Sequence, residues 1–434
     1  MATMLKSQGY NTACIGKWHL GMNWKLLPGK DVSELTIETP EQVHNVDYTA
    51  PITDGPNAVG FDYYFGISAS LDMVPFCFIE NDRVTALPTK DQEYPLYHGR
   101  SGTHTRKGPA APGFTTQSVL PELTKKAVEY VSQKADDARK GKPFFVYLPL
   151  NSPHTPVAPT DQWLGKSGLG PYGDFVMQTD DAVGQVMAAL EREKIRQDTL
   201  IILTSDNGCS PQADFPGLIK QGHNPSAIYR GNKADVYDGG HRVPFLVSWP
   251  AGAKQGVKSE RLVCLTDIFA TCAEIVGSKT ADNAGEDSFS FLSAMVDGAK
   301  ADAPQRTSIV HHSINGSFVV RNGSWKLAFC GDSGGWSTPR PGSVAAEGVP
   351  LVQLFNMAAD PSERKNVQAE HPDVVARLTE LMAKLVDEGR STPGAKQANA
   401  VAINFRKPGS PKAGNPAAKG KNKVPANPMA NPLQ

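Results

Sequence analysis

Three short apolar segments in this sequence each run directly into polar residues. These segments are residues 10–15, 144–150 and 200–204. Continuous apolar runs of this length are typical of parallel strands that are covered on both faces. Apolar residues recur at helical spacing over residues 176–190, between the second and third runs, which predicts a strand–helix–strand unit. We therefore expect an α/β fold with a mainly parallel sheet flanked by helices.

The polar residues that follow these segments are expected to meet at one edge of one sheet, because ligands in open α/β sheets bind outside the carboxyl ends of the strands. They are Lys17, His19, His154, Asp206 and Asn207. An ammonium group beside an imidazole suits an anionic transition state, one as a fixed charge and one as an acid. Each group alone is equally typical of a solvated loop or a turn, so only their convergence favours a functional site.

The Asp206-Asn207 pair offers two oxygen ligands to a hard cation such as calcium. Calcium takes six to eight oxygens, so two side chains do not complete a site. Further along the chain, glycines stand beside cationic side chains in residues 230–233 and 239–242. Such segments let a backbone approach a phosphate or a sulfate, although a basic surface loop is the alternative.

Composition narrows the possible functions. The 434 residues include 44 basic and 44 acidic side chains, and this balance argues against a chain-wide attraction to nucleic acid or to an anionic membrane. No apolar run approaches the roughly 20 residues that a membrane-spanning helix needs. Six cysteines without Cys-x-x-Cys spacing indicate neither a zinc site nor a disulfide framework.

The pattern changes in the C-terminal part of the chain, where short apolar segments replace the strand–helix alternation. Asn322-Gly323 between two of them is a strong hairpin signal. Apolar residues at helical spacing over residues 374–385, with Gly389 after them, predict a last helix. We expect a main α/β domain, a small α+β subdomain and a disordered Pro/Gly/Lys-rich tail, over residues 1–310, 311–390 and 391–434.

Residues 16–21, Gly-Lys-Trp-His-Leu-Gly, resemble the second signature of the sulfatases, the formylglycine-dependent sulfuric ester hydrolases of the alkaline phosphatase superfamily. Further segments similar to sulfatase motifs follow in the family's order, at residues 153–156, 204–208, 229–235 and 238–244. Ordered motifs spread over roughly residues 1–390 are a specific match, whereas one hexapeptide would be weak. The resemblance implies an alkaline phosphatase-like fold that hydrolyses a sulfate ester of a small molecule or glycan.

The resemblance also implies a role for each catalytic residue. Lys17 would contact both the nucleophile and the sulfate, and His19 would hold the formylglycine hydrate. His154 would protonate the leaving alcohol oxygen, and Lys233 would bind a sulfate oxygen.

Metal and substrate contacts follow from the same resemblance. Asp206 and Asn207 would be two ligands of a calcium ion. Ser70 resembles a substrate-contacting serine of arylsulfatases, with Ser68 as the alternative. A loop rich in cations would suit a polysulfated substrate, although a solvated surface loop explains it equally well. Its cations are His98, Arg100, His104, Arg106 and Lys107.

Two features of the sulfatase pattern have no match in this sequence. They are the paired aspartates that complete the metal site, and the Cys- or Ser-x-Pro-x-Arg segment that supplies formylglycine. Residues 209–212, Cys-Ser-Pro-Gln, come nearest to the second feature and lack the arginine. As written, the chain is expected to be inactive and to hold an incomplete calcium site. An N-terminal truncation or a misplaced start codon would explain this, and the resemblance suggests a periplasmic or secreted protein.

Two other functions stay open. A phosphatase or phosphonate hydrolase of the same superfamily would hold two metal ions. A non-catalytic protein would bind sulfated glycans through the surviving cations, with an affinity that salt weakens. The sequence does not indicate an oligomeric state.

Overall fold

The computed structural model describes residues 1–30, 40–98, 102–296 and 304–406. These residues form two compact units: unit 1 is Met1–Thr199, and unit 2 begins at Leu200. Arg100 of the cationic loop and the predicted tail from residue 407 onward lie outside the described residues. Within the described ranges, no helix combines the length and the apolar character that crossing a membrane requires.

Unit 1 alternates helices with strands. Its helices are α1 (Ala2–Ser7), α2 (Pro40–Val43), α3 (Thr116–Arg139) and α4 (Pro171–Arg192). Its strands are β1 (Asn11–Lys17), β2 (Tyr63–Ile67), β3 (Ile79–Glu80), β4 (Arg83–Val84), β5 (Lys90–Gln92), β6 (Gly108–Ala110) and β7 (Phe144–Tyr147).

A five-stranded sheet in the order β4-β3-β2-β1-β7 forms the centre of unit 1. Strand β1 pairs in parallel with β2 on one side and with β7 on the other, while β3 and β4 continue the sheet antiparallel. Every residue of β1 before Lys17 is buried, as expected for a parallel strand covered on both faces. The predicted α/β fold with parallel central strands is confirmed.

Helix α3 supplies much of the apolar cover of this sheet. It begins with a capping box, in which the Thr115 hydroxyl accepts a hydrogen bond from the Ser118 N–H and the Ser118 hydroxyl accepts one from the Thr115 N–H. Val119, Leu123 and Ala127 of α3 belong to the same buried cluster as residues of β1 and β2. The cap and this cluster fix α3 beside the strand that leads to Lys17.

Helix α4 confirms the helix predicted over residues 176–190, but it does not bury every apolar residue of the predicted pattern. Phe175 and Ala182 are buried, whereas Val176 and Met187 are exposed. The reason is that α4 packs against α3, and Phe175 and Ala182 join Leu120 of α3 in one buried cluster. The helical period was detectable from sequence, but the neighbour that selects the buried face was not.

Unit 2 holds short strands and helices. Its helices are α5 (Phe215–Lys220), α6 (Asp238–His241), α7 (Asp267–Ile275), α8 (Leu292–Met295) and α9 (Pro372–Glu388). Its strands are β8 (Ile201–Thr204), β9 (Phe245–Ser248), β10 (Ser308–His312), β11 (Phe318–Asn322), β12 (Trp325–Ala328) and β13 (Gln353–Asn356).

The prediction that the third apolar strand joins the sheet of β1 and β7 is wrong. Strand β8 pairs antiparallel with β9 in a two-stranded sheet, with Ile201 opposite Ser248 and Thr204 opposite Phe245. Apolar patterning identifies β8 as a strand but does not choose its partner, because that choice depends on residues distant in sequence.

The C-terminal part of unit 2 is a four-stranded antiparallel sheet, in the order β10-β11-β12-β13, with α9 packed on it. The predicted hairpin at Asn322-Gly323 joins β11 to β12, and the predicted last helix is α9. Leu378 and Met382 of α9 pack with Leu327 and Phe405 in one buried cluster. This arrangement is the small α+β part that the sequence predicted.

Candidate active site

In unit 1, the residues after β1 are held by the ends of two neighbouring strands. The Lys17 N–H donates to the Pro149 carbonyl at 2.7 Å, and the His19 N–H donates to the Ser68 carbonyl at 2.9 Å. The strands approach closely here, since a Cβ built on Gly66 would lie 1.7 Å from the Gly16 carbonyl oxygen. His19 itself has a φ of 55°, a left-handed conformation that is uncommon for histidine and is concentrated at functional sites.

Three of the predicted site residues meet at the Ser70 hydroxyl. Lys17 Nζ donates to Ser70 Oγ at 3.3 Å, and Ser70 Oγ lies 3.1 Å from His19 Nδ1. Because the ammonium can only donate, the Ser70 hydroxyl oxygen accepts from Lys17, and it still has a proton and a second lone pair for a hydrogen bond with His19 Nδ1. Ser68, the alternative serine, supplies its backbone carbonyl to His19. This geometry favours Ser70 over Ser68 as the serine of the site.

His154 lies on the loop after β7, beside an aspartate that the sequence analysis did not single out. Its Nδ1 is 2.6 Å from the Thr155 carbonyl oxygen, and since that oxygen can only accept, Nδ1 carries a proton. In the neutral ring, the second nitrogen, Nε2, is therefore the one that lacks a proton. Asp72 Oδ1 lies 4.0 Å from His154 Nδ1.

A second polar side chain of unit 1 was also missed. Asn151 is 1% exposed, and neither atom of its side-chain amide has a hydrogen-bond partner among the described residues. The signals for both residues were present but weak, because Asn151 is the first polar residue after β7 and Asp72 lies two residues after Ser70. A position in a polar loop does not show which side chains turn inward.

In unit 2, the predicted metal residues and Lys233 lie on two segments that are hydrogen-bonded to each other. The Gly208 N–H donates to the Gly240 carbonyl at 2.9 Å, and the Lys233 N–H donates to the Cys209 carbonyl at 2.8 Å. A Cβ built on Gly208 would lie 1.8 Å from the Gly239 carbonyl oxygen. Only glycine permits this approach, which sets the turn after β8 against the segment that carries Lys233.

The turn around Lys233 is held by a buried carboxylate. Asp235 is fully buried, and its Oδ2 accepts from the Asn232 N–H at 2.8 Å. Its Oδ1 accepts from the N–H groups of Trp336 and Ser337 at 2.8 and 3.0 Å. The turn that carries Lys233 is therefore held in place by backbone hydrogen bonds to the buried Asp235 carboxylate.

The predicted calcium ligands, Asp206 and Asn207, lie side by side just after β8. The Asn207 amide nitrogen donates to the Gly208 carbonyl at 2.9 Å, so Oδ1 is the Asn207 atom that can bind a cation, beside the Asp206 carboxylate. Across the described ranges, no group of three or more His, Cys, Asp or Glu side chains is arranged to hold a metal ion. Two oxygens fall well short of the six to eight that calcium takes.

The predicted site residues are thus distributed over both units. Unit 1 brings together Lys17, His19 and Ser70, and it places His154 beside Asp72. Unit 2 brings Lys233 to the segment that carries Asp206 and Asn207. The expectation that all three strands belong to one sheet is wrong, because β8 lies in a different sheet from β1 and β7.

Strand β1 of this sheet ends at Lys17, and His19 follows two residues later. Cationic groups at this end of a parallel strand lie where open α/β sheets bind ligands, and they suit an oxyanion. Comparison with known proteins makes this class specific. The sulfatase family model matches residues 1–278. This chain belongs to the sulfatase family, whose members hydrolyse sulfate esters.

Individual relatives agree with this assignment. An N-acetylgalactosamine-6-O-sulfatase of Bacteroides thetaiotaomicron is 31% identical over 418 residues, covering 88% of this chain and 76% of that protein. The human N-acetylgalactosamine-6-sulfatase is 25% identical over 433 residues, covering 95% and 73%. A solved structure described under the metabolism of multiple glycosaminoglycans by Bacteroides thetaiotaomicron has a TM-score of 0.69 at 30% identity, covering 88% of this chain and 81% of that one.

Proposed function

We propose that this chain binds a 6-sulfated N-acetylhexosamine and that its site belongs to the hydrolysis of that sulfate ester. The observation that carries the proposal is the hydrogen-bonded group of Lys17, Ser70 and His19 at the end of β1. An ammonium, a hydroxyl and an imidazole directed at one place can neutralise and bind the oxygens of a sulfate group. The sugar is suggested by the N-acetylgalactosamine-6-O-sulfatase that is 31% identical over 88% of the chain.

Within this function, His154 supplies the proton that the leaving alcohol oxygen needs. Its Nδ1–H group donates to the Thr155 carbonyl. In the charged ring, the Nε2–H group is therefore the proposed donor to the alcohol oxygen. Asp72, 4.0 Å from Nδ1, stabilises that charged form. A general acid placed in this way makes the alcohol a better leaving group.

For unit 2 we propose that Lys233 binds a sulfate oxygen and that Asp206 and Asn207 are two ligands of a calcium ion. Among the ion pairs formed by described residues, none involves the Lys233 ammonium, so its charge is available to an anion. A calcium ion held there would add positive charge beside the sulfate oxygen that Lys233 binds.

The proposal for this chain stops at binding, because the sequence does not supply the nucleophile for hydrolysis. None of the 434 residues begins a Cys- or Ser-x-Pro-x-Arg segment, so this sequence supplies no site for formylglycine. We infer that these residues bind a sulfated sugar without turning it over. The same observation favours, as a second candidate, a protein that binds sulfated glycans and performs no hydrolysis in any form.

Calorimetric titration tests the binding. We expect N-acetylgalactosamine 6-sulfate to bind at least about tenfold more tightly than N-acetylgalactosamine, because hydrogen bonds to a charged group are worth about 1.5–3 kcal/mol. Lys17→Ala should remove that preference. Lys125→Ala, at an exposed lysine of α3, should keep it. Equal affinities for the two sugars would refute the proposed function.

Sulfate release separates the two candidates. We expect no measurable sulfate from this chain, and release by it would show that formylglycine is not needed. A chain extended to include a Cys-x-Pro-x-Arg segment, with that cysteine converted to formylglycine, should release sulfate if the site is hydrolytic. Failure of that extended chain, with binding retained, would leave the glycan-binding function.

A further inference from the structure

The interior of unit 2 contains a lysine held between two carboxylates. Lys326, on β12, is 1% exposed, and its Nζ lies 2.7 Å from Asp238 Oδ1 and 2.7 Å from Glu363 Oε1. Glu363 is also fully buried, and Asp238 nearly so. These three residues, which we call the buried triad, come from α6, from β12 and from the segment after β13.

Charges so deep in a protein are costly to desolvate, and well-packed apolar residues would often stabilise the fold as much. Burial acts to raise the pKa of Asp238, but the charges of Lys326, Arg321 and Arg242 lower it overall. Burial raises the pKa of Glu363. Because the desolvation of these three charged residues offsets much of the stability that their ion pairs provide, the contacts that they make are more informative about their role than their effect on stability.

The buried triad contacts residues on both sides of Lys233, through the Asp238 backbone on one side and the Arg230 side chain on the other. Glu363 Oε2 accepts a hydrogen bond from the Asp238 N–H at 2.6 Å. The Glu363 carbonyl accepts one from Arg230 at 3.0 Å, and the Arg230 guanidinium lies 3.9 Å from the Tyr237 ring centroid. Glu363 adopts a φ of 52° to make both contacts, a strained conformation for a residue with a side chain.

The segment that these contacts fix also reaches the predicted metal residues. Gly240, two residues after Asp238, accepts from the Gly208 N–H, and the Lys233 N–H donates to Cys209. A shift of residues 230–241 would therefore move both the Lys233 backbone and the turn after Asp206 and Asn207.

We propose that Lys326, Asp238 and Glu363 are positioning residues for Lys233. They touch no ligand, and they act by locking residues 230–241 to the C-terminal sheet. The inference rests on the proposed function only in taking sulfate as the ligand of Lys233.

Hydrogen exchange tests the locking step without any ligand. In the full chain, Lys326→Met should raise amide exchange across residues 230–241. The matched control is Arg306→Met, because Arg306 and Asp267 form another buried ion pair of unit 2, at 2.6 Å and with 4% and 2% exposure. Both variants should lower the melting temperature, but only Lys326→Met should loosen residues 230–241. Equal loosening by the two variants would overturn the proposal.

The milder variant Glu363→Gln keeps the test informative if Lys326→Met does not fold. It preserves the shape of the side chain while removing its charge, and it should loosen the same segment to a smaller extent. Unchanged exchange in this folded variant would count against the proposal.

A binding cycle tests the link to Lys233. Lys326→Met should weaken binding of N-acetylgalactosamine 6-sulfate about tenfold, as expected for a misplaced charged contact. In a Lys233→Ala background the same change should have no further effect, because residues that act through one group are not additive. An equal loss in both backgrounds would overturn the proposal. If the original chain does not prefer the sulfated sugar, the proposed function fails, and the exchange experiment alone decides the positioning role.

Discussion

The two units hold their site residues by different means. In unit 1, Lys17, Ser70 and His19 contact one another through side chains, at a point where two strands approach too closely for any residue but glycine. In unit 2, Lys233 is held through its backbone, by a turn that a buried carboxylate and the buried triad anchor. The positions of the site residues are therefore fixed by tight steric packing in unit 1 and by buried charged groups in unit 2.

The largest effect expected from this comparison is steric, in unit 1. Gly66→Ala should destabilise the protein by more than about 3 kcal/mol, because the new Cβ would lie 1.7 Å from a backbone oxygen of Gly16, which cannot rotate away. Thermal unfolding measures the loss. Gly184→Ala is the matched control, since this α4 glycine has no atom within 4 Å of a built Cβ, and it should stabilise by about 0.5–1 kcal/mol.

If Gly66→Ala unfolds within a few degrees of the original protein, the strands can separate, and steric packing does not fix the site in unit 1. The contrast drawn between the two units would then be wrong for unit 1.

The same contrast explains what could be predicted from sequence. Local patterns indicated β1, β7, α4, α9 and the hairpin at Asn322-Gly323, because strand and helix periods and turn residues act over short distances. Lys17, His19 and Asp206 were predicted as site residues for a related reason, because each is a polar residue at or just after the end of an apolar strand.

The long-range features could not be predicted in this way. Lys326 contacts a residue 88 positions earlier, and Glu363 accepts from an N–H group 125 positions earlier. No period links such residues, and a lysine in a hairpin strand normally indicates a solvated face. The pairing of β8 with β9 instead of β7 escaped prediction for the same reason, since it depends on the whole unit.

A smaller effect is expected from the charges of unit 2, as a dependence of stability on pH. The rings of His241 and His311 lie 3.9 Å apart, near Lys326, Asp238 and His312. Burial, reinforced by the charge of Lys326, lowers the pKa of His241 to about 4, and burial lowers that of His311 well below its usual value. The neutral rings are thus the forms that the folded state favours.

The sign of the effect follows from proton binding. In the unfolded chain, His241 becomes protonated as the pH falls below about 6.5. In the folded protein, it becomes protonated only near pH 4. Stability should therefore fall as the pH falls through this window, by roughly 3 kcal/mol from His241 alone. Thermal unfolding at pH 7 and pH 4.5 measures it, and His241→Phe should reduce the difference. His223→Phe, at an exposed histidine of the same unit, should leave the difference unchanged. Equal pH dependence in the two variants would show that the buried histidines do not govern the pH dependence of stability in unit 2.

The smallest effect concerns one hydrogen bond in unit 1 and decides between two serines. Ser70→Ala removes the hydroxyl that Lys17 and His19 share, and it should weaken binding of N-acetylgalactosamine 6-sulfate about fivefold, equivalent to about 1 kcal/mol. Ser68→Ala should have no effect, because Ser68 serves His19 through its backbone carbonyl, which the substitution keeps. Calorimetric titration of both variants measures the difference. A larger loss in Ser68→Ala would make Ser68 the ligand-contacting serine, and unit 1 would then position its site residues through backbone contacts, as unit 2 does.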